Sequence, residues 1–570
     1  MIDAATRRAS LFQRFRFSPG TMADAVRERA SAAGRAASGL WRRDPAVWSR
    51  DPIVQQKIAN RLGWLASPAL MLKSIDRIRA FAENIKRDGF TDVVLLGMGG
   101  SSLAPEVLRA VVGVSKGWPR FHMLDSTDPA AVRAVSPPLN TTVFILASKS
   151  GTTIEPNSLA AHYKAALTSA GTAKWTDHFV AITDDQTALA ERASAEAFRE
   201  TFINPSDIGG RYSAISFFGL VPAALMGQDV GGLVESALAM LSTSEEVSDA
   251  AQHPAIGLGL AMATGAERGE NKLTLLAPSE LEPLGLWIEQ LVAESTGKQG
   301  KGVVPIVGED PGAASSYGRD RLFVDVSLET APGQPRVNAG MLKQAGKPVV
   351  EISMTTPLDL GAEFVRWEIA TAVAGALLGI NPFDEPNVQQ AKDATRVLLD
   401  QYKAAGRLPV SAPDQTVDNG LQLTLTKSAR ERLAANPARL RTLVQDGDYL
   451  GILAYLGPDP ALGNALKRLR TRLGTMTGAA TMFGYGPRYL HSTGQLHKGG
   501  PNTGVFILIT APPQQDIPIP SEAFSFGTLE FAQALGDFAS LDATGRRAVH
   551  VHLPSPDPQW IDRLSGLLVD

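Results

Sequence analysis

Between residues 92 and 203 the chain alternates short apolar runs with longer runs of helical character. The segments 92–97 (DVVLLG), 121–124 (FHML), 142–147 (TVFILA), 178–183 (HFVAIT) and 200–203 (ETFI) have the length and β-rich composition of buried strands. Strands that alternate with helices predict a parallel sheet covered on both faces. A second series of the same design follows a helical stretch at 214–270, with strands predicted at 272–277, 321–328 and 348–354. The late runs 505–510 (VFILIT) and 548–553 (AVHVHL) read as further strands of that second sheet, beyond a long helical region at 360–480. Within this region, 407–427 is rich in Pro, Asp and Gln and reads as a surface insertion, its alternating 421–425 a small edge strand. Residues 1–20 read as disordered, and 21–90 as mostly helical with breaks at Pro45, Pro52 and Pro68. The expectation is an α/β protein with two three-layer α/β/α domains, parallel sheets, and helical embellishments at both ends. An N-terminal arm with helices (1–60) precedes a first domain at 61–240 and a second at 241–570, the similarity of the two suggesting an ancient duplication.

Composition narrows the classes. A chain of 570 residues supports two or more core-forming domains, and a net charge of −3 gives no global attraction to nucleic acid or an anionic membrane. The absence of cysteine excludes disulfides, thiolate metal sites and a Cys nucleophile, and is compatible with the cytoplasm. The first 40 residues are Arg- and Ala-rich but lack an apolar signal core, so they read as a frayed start and an amphipathic helix rather than a targeting segment. No run reaches the roughly 18 apolar residues of a membrane span, and 369–380 reads as a buried helix.

Two loops carry anion chemistry. Ser148-Lys149-Ser150-Gly151-Thr152-Thr153 lies between a predicted strand and a helix with Pro156 near its first turn. Free backbone N–H groups and the positive end of the helix dipole converge at such a point, and four hydroxyls around one glycine suit a phosphate. A capped turn that binds nothing is the alternative. Gly97-Met98-Gly99-Gly100-Ser101-Ser102 follows strand 92–97. Asp125 ends the next strand, where a dinucleotide fold would place its ribose-binding acid, but G-M-G-G-S-S lacks the final glycine of G-x-G-x-x-G. Two such loops at the ends of two strands in one sheet can instead cradle a single phosphate.

Four further groups stand out. Arg211 in Gly209-Gly210-Arg211-Tyr212-Ser213 projects either into a cleft or from a surface loop. Glu294 continues the apolar stripe Leu284, Trp287, Ile288 and Leu291, with Gln290 four residues before it, and Gly297 stops the helix. Buried, that carboxyl would gain a pKa suited to a general base; at a frayed end it would be solvated. Lys392 borders the buried side of a helix after Asn381-Pro382-Phe383-Asp384-Glu385-Pro386. His491 opens His491-Ser492-Thr493-Gly494-Gln495, with His497 following. The other six histidines occupy ordinary strand or helix positions, and none of the eight has metal-ligand spacing, so no metal site is expected.

In this order and spacing the motifs resemble the phosphoglucose isomerase family, whose two domains share the sugar-isomerase (SIS) fold. The resemblance runs from about 90 to 400 and again near 491. It implies that Gly99, Gly100 and Ser101 form one phosphate-side loop. S-K-S-G-T-T is similar to the family's S-K-T-x-T-T, which implies phosphate contacts from the hydroxyls of Ser148, Ser150 and Thr153 and from the Lys149 backbone, with Thr152 a further substrate-binding residue of the loop. G-G-R makes Arg211 the enediolate-facing arginine, and Q-x-x-x-E-S-x-G-K makes Glu294 the base beside Gln290. Lys392 takes the family's active-site lysine position, and Glu155 a carboxylate that orients the ring-opening histidine.

Two departures accompany the resemblance. Glu385 stands where D-Q-x-x-V-x-x-x-K has its glutamine, and a carboxylate beside phosphate is repulsive. The histidine pattern H-x-x-x-Q falls at His491–Gln495, beyond Lys392 instead of before it. That arrangement is similar to the isomerase half of bifunctional transaldolase/phosphoglucose isomerase proteins, with no room here for the transaldolase half. The implied activity is reversible isomerisation of glucose 6-phosphate and fructose 6-phosphate through an enediol, in glycolysis and gluconeogenesis, with no cofactor. The implied partner is a small-molecule sugar phosphate, in a cytoplasmic enzyme that is a possible homodimer. A non-catalytic phosphosugar-binding regulator, or an isomerase of mannose 6-phosphate, are the alternatives.

Overall fold

The segment Asp92–Gly97 is buried at every position, as is Thr142–Ala147, and these two strands sit side by side in a parallel five-stranded sheet. The computed structural model describes residues 4–245, 249–331, 339–417, 420–433 and 440–569. In this first sheet the order is Arg120–Leu124, Asp92–Gly97, Thr142–Ala147, Phe179–Asp184, Glu200–Asn204. The chain starts in Asp92–Gly97, moves to one side, then crosses to the other. The loops leaving Asp92–Gly97 and Thr142–Ala147 therefore diverge and leave a crevice at the carboxyl ends of the strands.

The second sheet repeats the plan, with Val304–Ile306, Lys272–Leu276, Arg321–Leu328 and Val349–Met354 parallel and in that order. Its outer edge is closed by Phe15–Ser18, antiparallel to Val349–Met354. The start of the chain is thus not disordered over 4–20. Phe15 and Phe17 alternate into the core, Leu11 of the helix Ala4–Gln13 follows them, and residues 1–3 lie outside the described set.

The late strands do not extend the second sheet. Gly504–Thr510 and Arg547–His552 belong to a third sheet, ordered Gln415–Val417, Leu421–Leu425, Arg547–His552, Gly504–Thr510, Tyr449–Tyr455, Ala480–Tyr485. The first two strands run antiparallel to their neighbours and the last four are parallel. Of these strands, Tyr449–Tyr455 interrupts the region expected to be helical, and Ala480–Tyr485 begins at its end. Leu421–Leu425 is not an edge strand, since Gln415–Val417 covers it; residues 418–419 between them lie outside the described set.

One apolar cluster joins the N-terminal helices, one face of the first sheet and the second sheet. The other face of the first sheet packs through Phe144, Leu146 and Leu159 with Phe526, Leu529 and Ala532. Those last three lie on the helix Phe526–Ala543, which also packs on strands of the third sheet. The third unit is therefore fastened over the first sheet, beside its divergent loops. Among the described residues no helix is long and apolar enough to cross a membrane.

Candidate active site

The turn after Asp92–Gly97 is tight and crowded. Gly99 has φ +53°, and a Cβ there would stand 2.7 Å from Gln290 Nε2 and 2.8 Å from the His491 carbonyl oxygen. A Cβ on Gly100 would stand 2.1 Å from the Gly210 carbonyl oxygen. These glycines let three chain segments meet: the 97–102 turn, the turn carrying Arg211 and the turn carrying His491. Ser101 is buried between them. Asp125 does not serve a ribose. It accepts from Ser102 Oγ at 3.4 Å and from Arg488 at 2.7 and 3.0 Å.

The hydroxyl loop lies at the next strand end. Ser148 Oγ donates to Thr153 Oγ1 at 3.1 Å and accepts from the Gly151 N–H at 3.1 Å. The hydroxyls of Ser150 and Thr152, both exposed, lie 3.0 Å apart. Thr153 is the N-cap residue of the helix Ile154–Ser169, whose first-turn N–H groups have no carbonyl one turn before them. The Lys149 ammonium turns away to Asp184 and the Ser206 carbonyl, so only its backbone is left for the loop.

Arg211 and Glu294 meet across the two sheets. Arg211 Nη1 lies 3.3 Å from Glu294 Oε1, and both residues are buried. Glu294 occupies the last turn of the helix Glu282–Thr296, and its Oε2 lies 3.4 Å from Gln290 Nε2, which also donates to the His491 carbonyl at 2.6 Å. Burial raises the Glu294 pKa above the ordinary carboxylate value; Arg211 opposes the rise and Glu385 adds to it. Arg211 is saturated. Its Nε donates to Ser295 Oγ (3.0 Å), Nη1 to Glu385 (2.9 Å), and Nη2 to the carbonyls of Pro382 and Asp384 (3.1 and 3.2 Å). Glu385 is thus held on the arginine. Lys298, part of the same Glu294 motif, was passed over as a site residue. It is buried, donates to the Asn381 carbonyl at 2.6 Å and to Asp384 Oδ1 at 2.7 Å, and burial with Arg211 nearby brings its pKa down to about 8. It ties the end of the Glu294 helix to the 381–384 loop.

The histidine comes from the third unit. His491 closes a short 3-10 turn after Ala480–Tyr485, and its Nε2 lies 2.8 Å from Glu155 Oε1. Glu155, in the first turn after the hydroxyl loop, is fully enclosed. Burial alone would raise its pKa, but His491, and then Lys392, hold it below the ordinary value. Lys392 itself is exposed, on the helix Pro386–Ala405. His497 has a different setting from His491. It is buried against the rings of Phe506 and Tyr489, neither ring nitrogen has a partner, and burial pushes its pKa far down. Two glutamines join the site, Gln495, which the sequence marks only as the end of the H-x-x-x-Q pattern, and Gln533, which nothing in the sequence singles out. Gln495 donates to the Gly297 carbonyl at 2.9 Å and accepts from the Asn387 N–H at 2.8 Å, and Gln533 donates to Glu155 Oε1 at 2.7 Å.

Comparison with known proteins bears on this arrangement. A family model described as phosphoglucose isomerase matches residues 69–306. The curated glucose-6-phosphate isomerase of Rubrobacter xylanophilus is 30% identical over 366 residues, 55% of this chain and 84% of the relative. That of a Synechococcus strain is 29% identical over 440 residues, 67% of this chain and 81% of the relative. Among solved structures, a hypothetical protein from Thermus thermophilus shares the fold, with a TM-score of 0.57 at 23% identity over 67% of this chain and 99% of that protein.

Proposed function

The chain belongs to the phosphoglucose isomerase family, and from that membership we propose which of its residues carry out the reaction. The activity is aldose–ketose isomerisation of a small sugar phosphate, between glucose 6-phosphate and fructose 6-phosphate. The observation that carries the residue assignment is the buried pair of Arg211 and Glu294, set beside the Gly99 turn and joined to the His491 turn by Gln290.

The phosphate is held by the hydroxyls of Ser148, Ser150, Thr152 and Thr153, the Lys149 backbone and the 99–101 turn. Binding energy from this remote group holds C1 and C2 against the carboxylate. His491 donates its Nε2 proton to Glu155 and presents Nδ1 to the sugar. In ring opening Nδ1 takes the proton of the O1 hydroxyl, the bond between C1 and the ring oxygen breaks, and Lys392 supplies a proton to that oxygen. Glu294 then removes the proton from C2, and the electron pair moves through the carbonyl to give an enediolate. Arg211 faces that charge as a preorganised cation. His491 Nδ1 gives its proton to the C1 oxygen and takes that of the C2 hydroxyl, and as the C2 carbonyl forms Glu294 returns its own proton at C1, which completes the ketose. A carboxyl raised by burial, yet kept ionisable by a guanidinium, is suited to both transfers.

Homodimer assembly and a cytoplasmic setting belong to the same reading. The pairing of His491 and Glu155 inside one chain supports a site that draws its histidine from its own copy. A coupled assay with glucose, fructose and mannose 6-phosphates, with 6-phosphogluconate as competitor, tests the reading. Interconversion of the first two, blocked competitively, is expected. Binding of 6-phosphogluconate without turnover of either sugar would leave a sensor in place of an enzyme.

A further inference from the structure

Glu155 is gripped from two sides by the third unit. His491 reaches it from the turn after Ala480–Tyr485, and Gln533 from the middle of the helix Phe526–Ala543. Both donate to the same oxygen, Oε1, at 2.8 and 2.7 Å. At its other end Gln533 Oε1 accepts from Thr127 Oγ1 at 2.9 Å, in the loop after Arg120–Leu124. Thr127, Gln533 and Glu155 are all buried. This sequence of bonds has only one workable direction. An ionised carboxylate accepts and never donates, so the amide must turn its NH2 to Glu155 and its carbonyl to the threonine hydroxyl. A reversed amide would set two acceptors against each other.

We propose that Gln533 is a positioning residue for ring opening: its amide, fixed by Thr127, holds the Glu155 carboxylate in place so that His491 keeps its proton on Nε2 and presents Nδ1 to the sugar. The inference rests on the ring-opening role given to His491 above. A donor to the charged form of a carboxylate favours that form, so Gln533 also helps to keep a fully enclosed Glu155 ionised. The other charges and titratable groups facing Glu155 are His491 itself, Lys392 on Pro386–Ala405, and the phenol of Tyr455, whose surroundings include Asp537 and Glu530 on the Gln533 helix. None of these replaces an amide donor at Oε1.

Two variants of opposite chemistry test the point. Gln533→Met keeps the length and removes the donor. Glu155 then protonates at higher pH, so the acid limb of kcat/KM moves upward, and ring-form substrate loses about tenfold near the limb. Gln533→Glu donates only while the introduced carboxyl holds a proton. Two carboxyls at one site share that proton, so this variant works best at acid pH and fails as pH rises. A tetrose 4-phosphate, too short to close a ring, is the control and stays within about twofold in both variants. His491→Ala is measured alongside. If it slows both substrates equally, the ring-opening role falls and the Gln533 inference falls with it. If it discriminates between them while Gln533→Met does not, or if the two Gln533 variants give the same pH profile, only the positioning inference is overturned.

Discussion

The first two sheets share a strand order, yet they present opposite ends of a helix to the cleft. In the first sheet the hydroxyl loop 148–153 runs into the N-terminus of Ile154–Ser169. In the second, Glu294 sits in the last turn of Glu282–Thr296. A helix N-terminus carries a partial positive charge and favours an anion, while a C-terminus carries a partial negative charge and disfavours one. The polarity suits the two tasks proposed for these ends. A phosphate must stay ionised and bound, whereas a base that returns its proton needs a carboxyl easier to protonate than one in water. Arg211 and Glu385 set how far this goes. Burial raises the pKa of Glu294, Arg211 lowers it, and Glu385 raises it again.

The contrast is broken hardest at the C-terminal end. Glu294→Gln keeps the shape and removes the proton acceptor. Turnover is expected to fall by about 10³-fold, with the inhibition constant of 6-phosphogluconate nearly unchanged. Activity within tenfold of the parent protein would remove Glu294 from the chemistry. At the N-terminal end the response is smaller and of another kind. Ser148→Ala deletes one hydroxyl and loosens the loop by removing its bonds to Thr153 and Gly151. KM and the inhibition constant of inorganic phosphate are expected to rise together by about tenfold. A change confined to kcat would count against a phosphate grip there.

The finest test lies between the two ends. Glu385→Gln removes a negative charge that Glu294 feels, without emptying its place on Arg211. In the proposed reaction the working form of Glu294 is the ionised one, and activity is lost as pH falls through its pKa. Removing Glu385 lowers that pKa, so the acid limb of kcat/KM is expected to move to lower pH while the rate at neutral pH changes by no more than about threefold. A pH–rate profile checks it, and an upward move would reverse the assigned coupling.

How much of this was legible in the sequence depended on burial and distance. Val93–Leu96 and Val143–Leu146 are uninterrupted apolar runs of strand length set between helical patterns, so the first sheet was readable. Tyr449–Tyr455 is buried at all seven positions as well, so it shows no alternation. Its Leu, Ala and Gly, set among long helical patterns, hid it. Phe15-Arg16-Phe17-Ser18 does alternate, but four residues mean little until their partner strand, more than 300 residues away, is in place. The site followed the same rule. Glu294, Arg211 and the hydroxyl loop sit in compact motifs. Gln533 is one polar residue on a long helix, with no local pattern to mark it, and only folding brings it to Glu155. Lys298 stood inside a recognised motif, yet nothing in its spacing told that its ammonium would clasp the 381–384 loop.

The third sheet delivers His491 to the Glu155 of its own chain. In genetic terms the proposed site makes a copy self-sufficient and its lesions private. Under the roles proposed for Glu294 and His491, a copy lacking the one and a copy lacking the other, expressed together, are expected to stay inactive, and recovered activity would show a cleft completed between copies. The catalytic dose then follows the number of intact copies, whatever the damaged ones pair with.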